Sequence, residues 1–162
     1  MIIHSLLYAN EKHKGQTRIG GDPYITHPVE VARLLEEKGI KDPVIIMTAL
    51  LHDVFEDTDA KEEEILQMGG NEVLTAVKCL TKSKTLDMES YIQGIQANQI
   101  AKYVKLADRL HNLRSAIVTS VKFRQRYIEE TEKYYIPLAQ KTVFEKEIQE
   151  ALQKLKDSLS KE

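Results

Sequence analysis

The stretch ALLHDVFEDTD, residues 49–59, places one histidine and four carboxylates at the end of a strongly apolar run. Carboxylate and imidazole groups can bind metal ions, and they can also carry protons. An uncompensated carboxylate in an apolar setting is costly, so something at this position should neutralise the charge. A bound metal cation would do so.

Helical spacing brings the polar residues of this stretch together. On a helix, residues three and four apart share a face, which places His52 over Glu56 and Asp53 over Asp57. Like charges this close raise one another's proton affinity unless a cation offsets them, so the group suits both metal binding and proton transfer. An acidic helix end facing water is the alternative interpretation. It explains the last acidic residues better than the His52-Asp53 pair, which two apolar residues follow.

A second segment, KLADRLHNLRS at residues 105–115, has two faces at helical period. The expected buried stripe consists of Leu106, Leu110, Leu113 and Ile117. Polar residues recur on roughly the opposite side, at Lys105, Asp108, Asn112 and Ser115. A plain amphipathic helix gives the same pattern, so periodicity alone does not establish a function for this segment.

A third segment, PYITHPVEV, places His27 just before a proline that starts a helix. A lone histidine at such a position is more often a cap or a surface residue than a ligand. The five histidines form neither HExxH nor paired CxxC spacing. A metal site would therefore need several separate segments to converge.

The elements that carry these residues are predicted to be helices throughout. Helical signals occur in almost every segment, and sustained two-residue alternation occurs in none, which predicts an all-α fold. One helix begins at residues 26–28 and ends at Gly39. The next begins at Asp42-Pro43 and should run to about Asp57. Its apolar residues lie on all sides, which predicts a helix surrounded by others.

Further helices are expected over about residues 60–68, 71–80, 87–97 and 99–118. Gly69-Gly70 should separate the first two. The last part of the chain, about residues 123–158, should form one helix or a pair, bent near Pro137. The sequence GQTRIGGD at residues 15–22 predicts a loop that carries Arg18.

Length and composition fit a single domain over residues 1–162, because 162 residues with 42% hydrophobic content can bury one core. No window has the roughly 18 consecutive apolar residues that a membrane span needs, and the N-terminus does not resemble a secretion signal. We therefore expect a cytoplasmic protein with no membrane partner. The one cysteine, Cys79, cannot form an internal disulfide and is expected to be a small buried residue.

A net charge of −2 argues against attraction of the whole surface to nucleic acid. Two basic regions could still meet around a small anion. They are Lys12, Lys14 and Arg18 near the N-terminus, and Lys102, Lys105, Arg109 and Arg114 later. Solvated faces are the simpler interpretation of both. The sequence leaves the oligomeric state open, including a homo-oligomer.

Taken together, the segments resemble the HD-domain metal-dependent phosphohydrolases, and more narrowly the hydrolase domain of the RelA/SpoT family. The matching text is HKGQTRIGGDPYITHPVEVARLL at residues 13–35, ALLHDVFEDT at 49–58 and VKLADRLHNLRS at 104–115. A bare His-Asp pair is a weak signal. The HDxxED form, the loop ending in PYxxHP and the later KLADRLHN make this subgroup specific.

The resemblance implies a compact multi-helix HD-domain bundle that binds one divalent metal ion, usually manganese in this subgroup. The implied ligands are His27, His52, Asp53 and Asp108. On ligand type alone, two imidazoles and two carboxylates suit manganese, iron or zinc about equally. The acidic pair of the family corresponds to Glu56 and Asp57.

For the substrate, the resemblance maps a base-contacting arginine onto Arg18 and later contacts onto Asn112 and Ser115. Lys105 or Arg109 could offset phosphate charge. Ser115 stands where relatives often have threonine. Ile19-Gly20 replaces a polar or basic pair that is common in the long enzymes.

The implied reaction is removal of the 3′-pyrophosphate from guanosine tetraphosphate or pentaphosphate (ppGpp or pppGpp), giving GDP or GTP and pyrophosphate. The metal would lower the pKa of a bound water toward neutrality. Glu56 and Asp57 would position that water and move protons to the leaving 3′-oxygen, a role worth about 10²–10⁴-fold. The chain ends at Glu162, so the layout is expected to match the stand-alone small alarmone hydrolases, without a synthetase domain.

Two other functions stay open from the sequence. The same site could serve a phosphatase that acts on a nucleoside monophosphate or on the 2′-phosphate of NADPH. A helical sensor could instead bind a nucleotide without turnover. A sensor would be expected to lose a ligand or the acidic pair, yet all six residues of the predicted centre are present.

Overall fold

The structure, a computed structural model, describes residues 1–161, and the elements it contains over that range are helices joined by turns and loops. The prediction of an all-α fold is confirmed. The helices are α1 Ile2–Lys12, α2 Thr26–Glu37, α3 Pro43–Leu51, α4 Val54–Asp57, α5 Glu62–Leu80, α6 Met88–Ala97, α7 Gln99–Ser115, α8 Val121–Glu130, α9 Ile136–Ala139 and α10 Glu145–Leu159. A 3₁₀ turn, Ala116–Val118, follows α7, and a π-helical turn, Thr131–Tyr135, joins α8 to α9.

The chain divides into two compact units, residues 1–105 and 106–162, with the boundary inside α7. The single domain over residues 1–162 therefore stays a prediction, and its last residue, Glu162, lies outside the described part of the chain. Across residues 1–161, no helix has both the length and the apolar character needed to cross a bilayer.

Helix α3 is the centre of the first unit. It packs against α1, α2 and α5, and its residues from Ile45 to Leu51 are all buried. A core cluster in this unit consists of Ala9, Met47, Leu51, Val54, Ile65, Val73 and Val77. Each fully buried aliphatic side chain contributes about 1.5–3 kcal/mol to folding. The prediction that this helix is surrounded by others is confirmed.

Asp42 and Pro43 start α3 as the sequence predicts. The Asp42 carboxylate accepts a hydrogen bond of 2.9 Å from the Val44 amide, and Pro43 occupies the first helical turn, where its missing N–H costs nothing. These two residues therefore fix the residue at which α3 begins.

The predicted continuation of α3 to about Asp57 is wrong, because the helix ends at Leu51 and α4 begins at Val54. The ring of His52 donates from Nδ1 to the carbonyl oxygen of Ala49, 2.6 Å away. A continuous helix would offer that oxygen to the amide of Asp53, so the imidazole competes with the backbone ladder. Asp53 takes φ −103° and ψ 0°, away from regular helix.

The remaining boundaries agree with the sequence in most places. Gly70 adopts φ 82° and ψ −176° and breaks α5, as the glycine pair predicts. Helices α6 and α7 occupy the predicted segments. The final segment forms α8, α9 and α10 rather than one helix or a pair, and the helical path from α8 through the π-helical turn to α9 ends at Ala139, close to Pro137. No helix was specified for the N-terminus, where α1 forms. The 3₁₀ turn leaves Ile117 54% exposed, so its expected place in the buried stripe is wrong.

In the second unit, α10 packs against α8, α9 and the 3₁₀ turn. The larger apolar side chains in the core of this unit are Tyr135, Leu138, Phe144, Ile148, Leu152 and Leu155. The charged face of α10 stays outside, which gives the helix the amphipathic pattern of a surface element.

We predict that Asp42→Ala lowers the free energy of unfolding by about 0.5–2 kcal/mol, because the Val44 amide loses its cap. Asp42→Asn keeps an oxygen acceptor and should stay close to the wild type. Urea unfolding followed by circular dichroism measures both. Equal stability of all three proteins would contradict the capping role.

Candidate active site

Two buried imidazoles and one half-buried carboxylate converge in the first unit. His27, His52 and Asp53 each offer one donor atom, and these atoms lie within 4.8 Å of one another. Oδ2 of Asp53 is 3.0 Å from Nε2 of His52 and 3.8 Å from Nε2 of His27. The two imidazoles meet edge to face with ring centroids 5.2 Å apart. Three of the four predicted metal ligands therefore lie together.

Local structure explains these positions. His27 lies in the first turn of α2, where its amide donates to the carbonyl oxygen of Tyr24 at 3.0 Å. His52 and Asp53 form the two-residue break between α3 and α4. Because α2 packs against α3, the start of one helix lies beside the end of the other.

The chemistry of the donor set fits a cation. A carbonyl oxygen can only accept, so the short contact of His52 Nδ1 with Ala49 places the proton on Nδ1. In the neutral ring, Nε2 then presents its lone pair to Asp53 Oδ2 at 3.0 Å. Two acceptor atoms this close repel unless a proton or a metal ion lies between or beside them. A backbone acceptor on the second ring nitrogen is the usual support of a metal-bound histidine.

The predicted acidic pair lies in α4, directly after the metal group. The side chain of Glu56 is exposed, yet its Oε1 accepts the Lys82 amide at 2.5 Å. Burial of part of the carboxyl raises the pKa of Glu56, while the Lys82 amide lowers it, Asp53 raises it and the charge of Lys105 lowers it. The position of the Glu56 carboxylate is thus held by the Lys82 amide, and its pKa is raised by the charge of Asp53.

Asp57 has a similar environment. Burial raises the pKa of the Asp57 carboxyl, and the charge of Asp53 raises it further. The charge of His13 and a hydrogen bond from Tyr24 act in the opposite direction. The charge of Asp53 therefore raises the pKa of both carboxyls of the pair.

The loop that carries Arg18 is tied to α4. Thr17 and Pro23 form an antiparallel bridge, and the Arg18 amide donates to the Asp22 carbonyl at 2.8 Å. Gly20 and Gly21 turn the chain at φ 110° and 98°. The side chain of Gln16 donates to the Asp57 carbonyl at 2.9 Å. Arg18 is half-buried, and its contact with a nucleotide base stays a prediction.

Sequence reasoning missed the residues that support this loop. Gln16 and His13 contact each other at 2.9 Å, and the Tyr24 hydroxyl donates to Asp53 Oδ2 at 2.6 Å. A signal for them existed, because all three lie inside the HKGQ and PYxxHP text that marked the resemblance.

Lys105 is the last residue of the first unit. Its Nζ lies 5.6 Å from the centre of the Tyr91 ring, and its positive charge lowers the pKa of Glu56. A lysine with this influence on the acidic pair suits the predicted phosphate contact. That contact stays a prediction.

The other predicted polar residues belong to the second unit. Asp108 is buried, and the Asn112 side chain donates to its Oδ1 at 3.1 Å. The hydroxyl of Ser115 donates to the His111 carbonyl at 2.9 Å. Asp108 as fourth ligand, and Asn112 and Ser115 as substrate contacts, stay predictions.

Arg109 is buried inside the second unit. Its guanidinium carbon lies 4.1 Å from the ring centre of Tyr127 and 3.8 Å from that of Tyr135. One terminal nitrogen contacts Glu130 at 2.6 Å, and the other contacts Thr131 at 3.4 Å. A guanidinium held in this way contributes to packing, and a phosphate contact of Arg109 stays a prediction.

Comparison with known proteins agrees with this geometry. The model of the HD domain family matches residues 5–143. GTP pyrophosphokinase rsh of Brucella melitensis is 42% identical over 151 residues, which are 86% of this chain and 20% of that protein. The bifunctional (p)ppGpp synthase/hydrolase SpoT of Escherichia coli is 39% identical over 145 residues, 82% of this chain and 20% of SpoT. The chain thus spans about a fifth of the length of these relatives.

A solved structure is similar over nearly its whole length. It is that of a metazoan ortholog of SpoT, which hydrolyzes ppGpp and plays a role in starvation responses. The two chains share 31% identity and a TM-score of 0.84, and 94% of each is covered. The family model and these relatives together show that the chain belongs to the HD domain family, in its RelA/SpoT group.

Proposed function

We propose that this chain is a metal-dependent phosphohydrolase that removes the 3′-pyrophosphate from ppGpp or pppGpp. The products would be GDP or GTP and pyrophosphate. The observation that carries the proposal is the buried His27, His52 and Asp53 group, followed at once by Glu56 and Asp57. The likeness to a ppGpp-hydrolysing protein over 94% of both chains supports this choice of substrate.

A divalent cation held by His27, His52 and Asp53 would supply charge neutralisation at a phosphoryl group and a water of lowered pKa. We propose manganese as this ion, with Asp108 as a fourth ligand on the grounds of the sequence resemblance. Imidazole nitrogen and carboxylate oxygen suit manganese among other divalent metals. The Nδ1 bond of His52 to Ala49 keeps its Nε2 directed at the Asp53 carboxylate.

The acidic pair would orient the attacking water and carry protons. Burial raises the pKa of Glu56 and Asp57 toward the pH range in which proton transfer is efficient. The carboxylate of Glu56 accepts a hydrogen bond from a backbone amide, and the main-chain carbonyl of Asp57 accepts one from the side chain of Gln16. These contacts restrain the Glu56 carboxylate and the backbone of Asp57. One of them can accept the proton of the water and the other can return a proton to the 3′-oxygen.

The substrate would be held by groups around this centre. Arg18 can stack its planar guanidinium on the purine ring, and Lys105 can offset phosphate charge near Glu56. Asn112 and Ser115 remain proposed contacts from the resemblance. We leave Arg109 out of this proposal, because its guanidinium is buried between two tyrosines.

We predict that protein stripped with a chelator does not hydrolyse ppGpp and that added manganese restores turnover. Released pyrophosphate and phosphate, measured separately together with the nucleotide product, identify the bond that is cleaved. Pyrophosphate plus GDP supports the proposal. Phosphate release from NADPH or a nucleoside monophosphate, without turnover of ppGpp, would replace it with a phosphatase function. Binding of ppGpp without any product would indicate a sensor.

We predict that Glu56→Gln and Asp57→Asn each lower kcat for ppGpp about 10²–10⁴-fold, because each removes a proton carrier. Metal content should be retained, since neither residue belongs to the His27, His52 and Asp53 group. Asp59→Asn is a matched control in the same stretch, because Asp59 is exposed and pairs with Lys12. Full activity of both pair variants with manganese present would rule out the mechanism.

We predict that Arg18→Ala raises KM for ppGpp about 2–30-fold, the equivalent of a cation–π contact of about 0.5–2 kcal/mol, with a smaller change in kcat. Arg18→Lys should restore only part of the binding, because an ammonium does not stack as a planar group. Arg33→Ala serves as the control, since Arg33 pairs with Glu30 and Glu37 on the exposed side of α2. An unchanged KM in Arg18→Ala would exclude base stacking.

A further inference from the structure

Tyr24 reaches two carboxylates that have different proposed tasks. Its hydroxyl donates to Oδ2 of Asp53, 2.6 Å away. A hydrogen bond from the same hydroxyl is also one of the interactions that lower the pKa of Asp57. Asp53 belongs to the group that fits a metal ion, and Asp57 belongs to the acidic pair. A single phenol therefore contacts one carboxylate of the metal group and one carboxylate of the acidic pair.

The phenol ring is held on both sides. Its centroid lies 4.8 Å from the imidazole of His13 and 5.9 Å from that of His27. The Tyr24 amide donates to the carbonyl of Gln16 at 2.9 Å, and the Tyr24 carbonyl accepts the His27 amide at 3.0 Å. Ring and backbone are thus both fixed, so the hydroxyl has little freedom to leave the carboxylates.

The same support extends to Asp57. Gln16 accepts the Tyr24 amide through its backbone, contacts His13 Nδ1 at 2.9 Å and donates to the Asp57 carbonyl at 2.9 Å through its side chain. The residue that carries the phenol and the residue that carries the acid are therefore attached to one glutamine.

A phenol has a single proton, so at any moment it donates to one of the two carboxylates. In the described structure that carboxylate is Asp53 at 2.6 Å. If a cation took up the Asp53 oxygen, the same proton would be available to Asp57, whose carboxyl Tyr24 also contacts. A phenylalanine ring would fill the same space and would provide no donor to either.

We propose that Tyr24 is a positioning residue that links the metal-binding carboxylate of Asp53 to the proton-carrying carboxylate of Asp57. This inference rests on the proposed function, and it adds a residue that acts through two others. Hydrogen-bonding partners of metal ligands typically change metal affinity or activity by about 10–100-fold when they are removed. The hydroxyl of Tyr24 is expected to contribute in that range.

The experiment compares Tyr24→Phe with the wild type in two assays. The first titrates manganese into chelator-stripped protein, followed by the electron paramagnetic resonance signal of the free ion, with no nucleotide present. We expect the dissociation constant to rise about 10–100-fold. The second measures ppGpp hydrolysis at saturating manganese. We expect kcat to fall about tenfold or more while KM changes by less than about twofold.

Tyr8→Phe is the matched control. The hydroxyl of Tyr8 also donates to a carboxylate, that of Glu64, at 2.5 Å, and this pair is distinct from the metal group. Its loss should leave manganese affinity and kcat at the wild-type values. Circular dichroism is recorded on each protein. Loss of folded structure in Tyr24→Phe would assign Tyr24 to stability and overturn the positioning role.

The double variant Tyr24→Phe with Asp57→Asn tests the link itself. If Tyr24 acts through Asp57, its effect on kcat largely disappears when Asp57 is already replaced. Fully additive effects would overturn the link. Wild-type manganese affinity and kcat in Tyr24→Phe, in a protein that does hydrolyse ppGpp, would refute the inference alone. If the wild type does not hydrolyse ppGpp, the proposed function fails, and the manganese titration still decides the role of Tyr24 at Asp53.

Discussion

The hydrogen bond from His52 Nδ1 to the carbonyl oxygen of Ala49 determines both the chain path and the chemistry of the candidate site. It occupies the oxygen that a continuous helix would use, and α3 therefore ends at Leu51. It also assigns the ring proton, which leaves Nε2 of His52 facing the Asp53 carboxylate at 3.0 Å. A bound cation would relieve this contact between two acceptors. The same interaction thus explains why the helix breaks and why the break suits a metal ion.

The rest of the first unit fixes this break in place. Helix α3 is buried from Ile45 to Leu51, so its end cannot shift without disturbing the core. Around the break, each acidic residue is held through a different neighbour. The Lys82 amide donates to Glu56, the Gln16 side chain donates to the Asp57 carbonyl, and the Tyr24 hydroxyl donates to Asp53. These contacts hold the Glu56 and Asp53 carboxylates and the main chain of Asp57 close to the break.

The sequence predicted much of this arrangement. Helical periodicity, the Asp42-Pro43 start and the Gly70 break are local signals, and the structure has all three. The helix break at His52 could not be predicted, because an imidazole that competes for a backbone carbonyl has no signature in hydrophobic periodicity. Charge alone also placed Arg109 among phosphate-binding candidates. Only the fold shows that its guanidinium lies between two tyrosines. Long-range contacts such as that of Tyr24 with Asp53 depend on tertiary structure and are invisible to spacing.

The contact between Glu56 and residue 82 has a consequence for how such a site can change over evolution. Glu56 accepts from the main chain of Lys82, and the lysine side chain instead points its Nζ to the carbonyl of Leu86. Any amino acid except proline can supply that amide. The side chains of the exposed segment after α5 can therefore gain or lose charge without removing the hydrogen bond from residue 82 to the Glu56 carboxylate. Substitutions of side chains in this segment therefore leave the hydrogen bond that holds Glu56 in place.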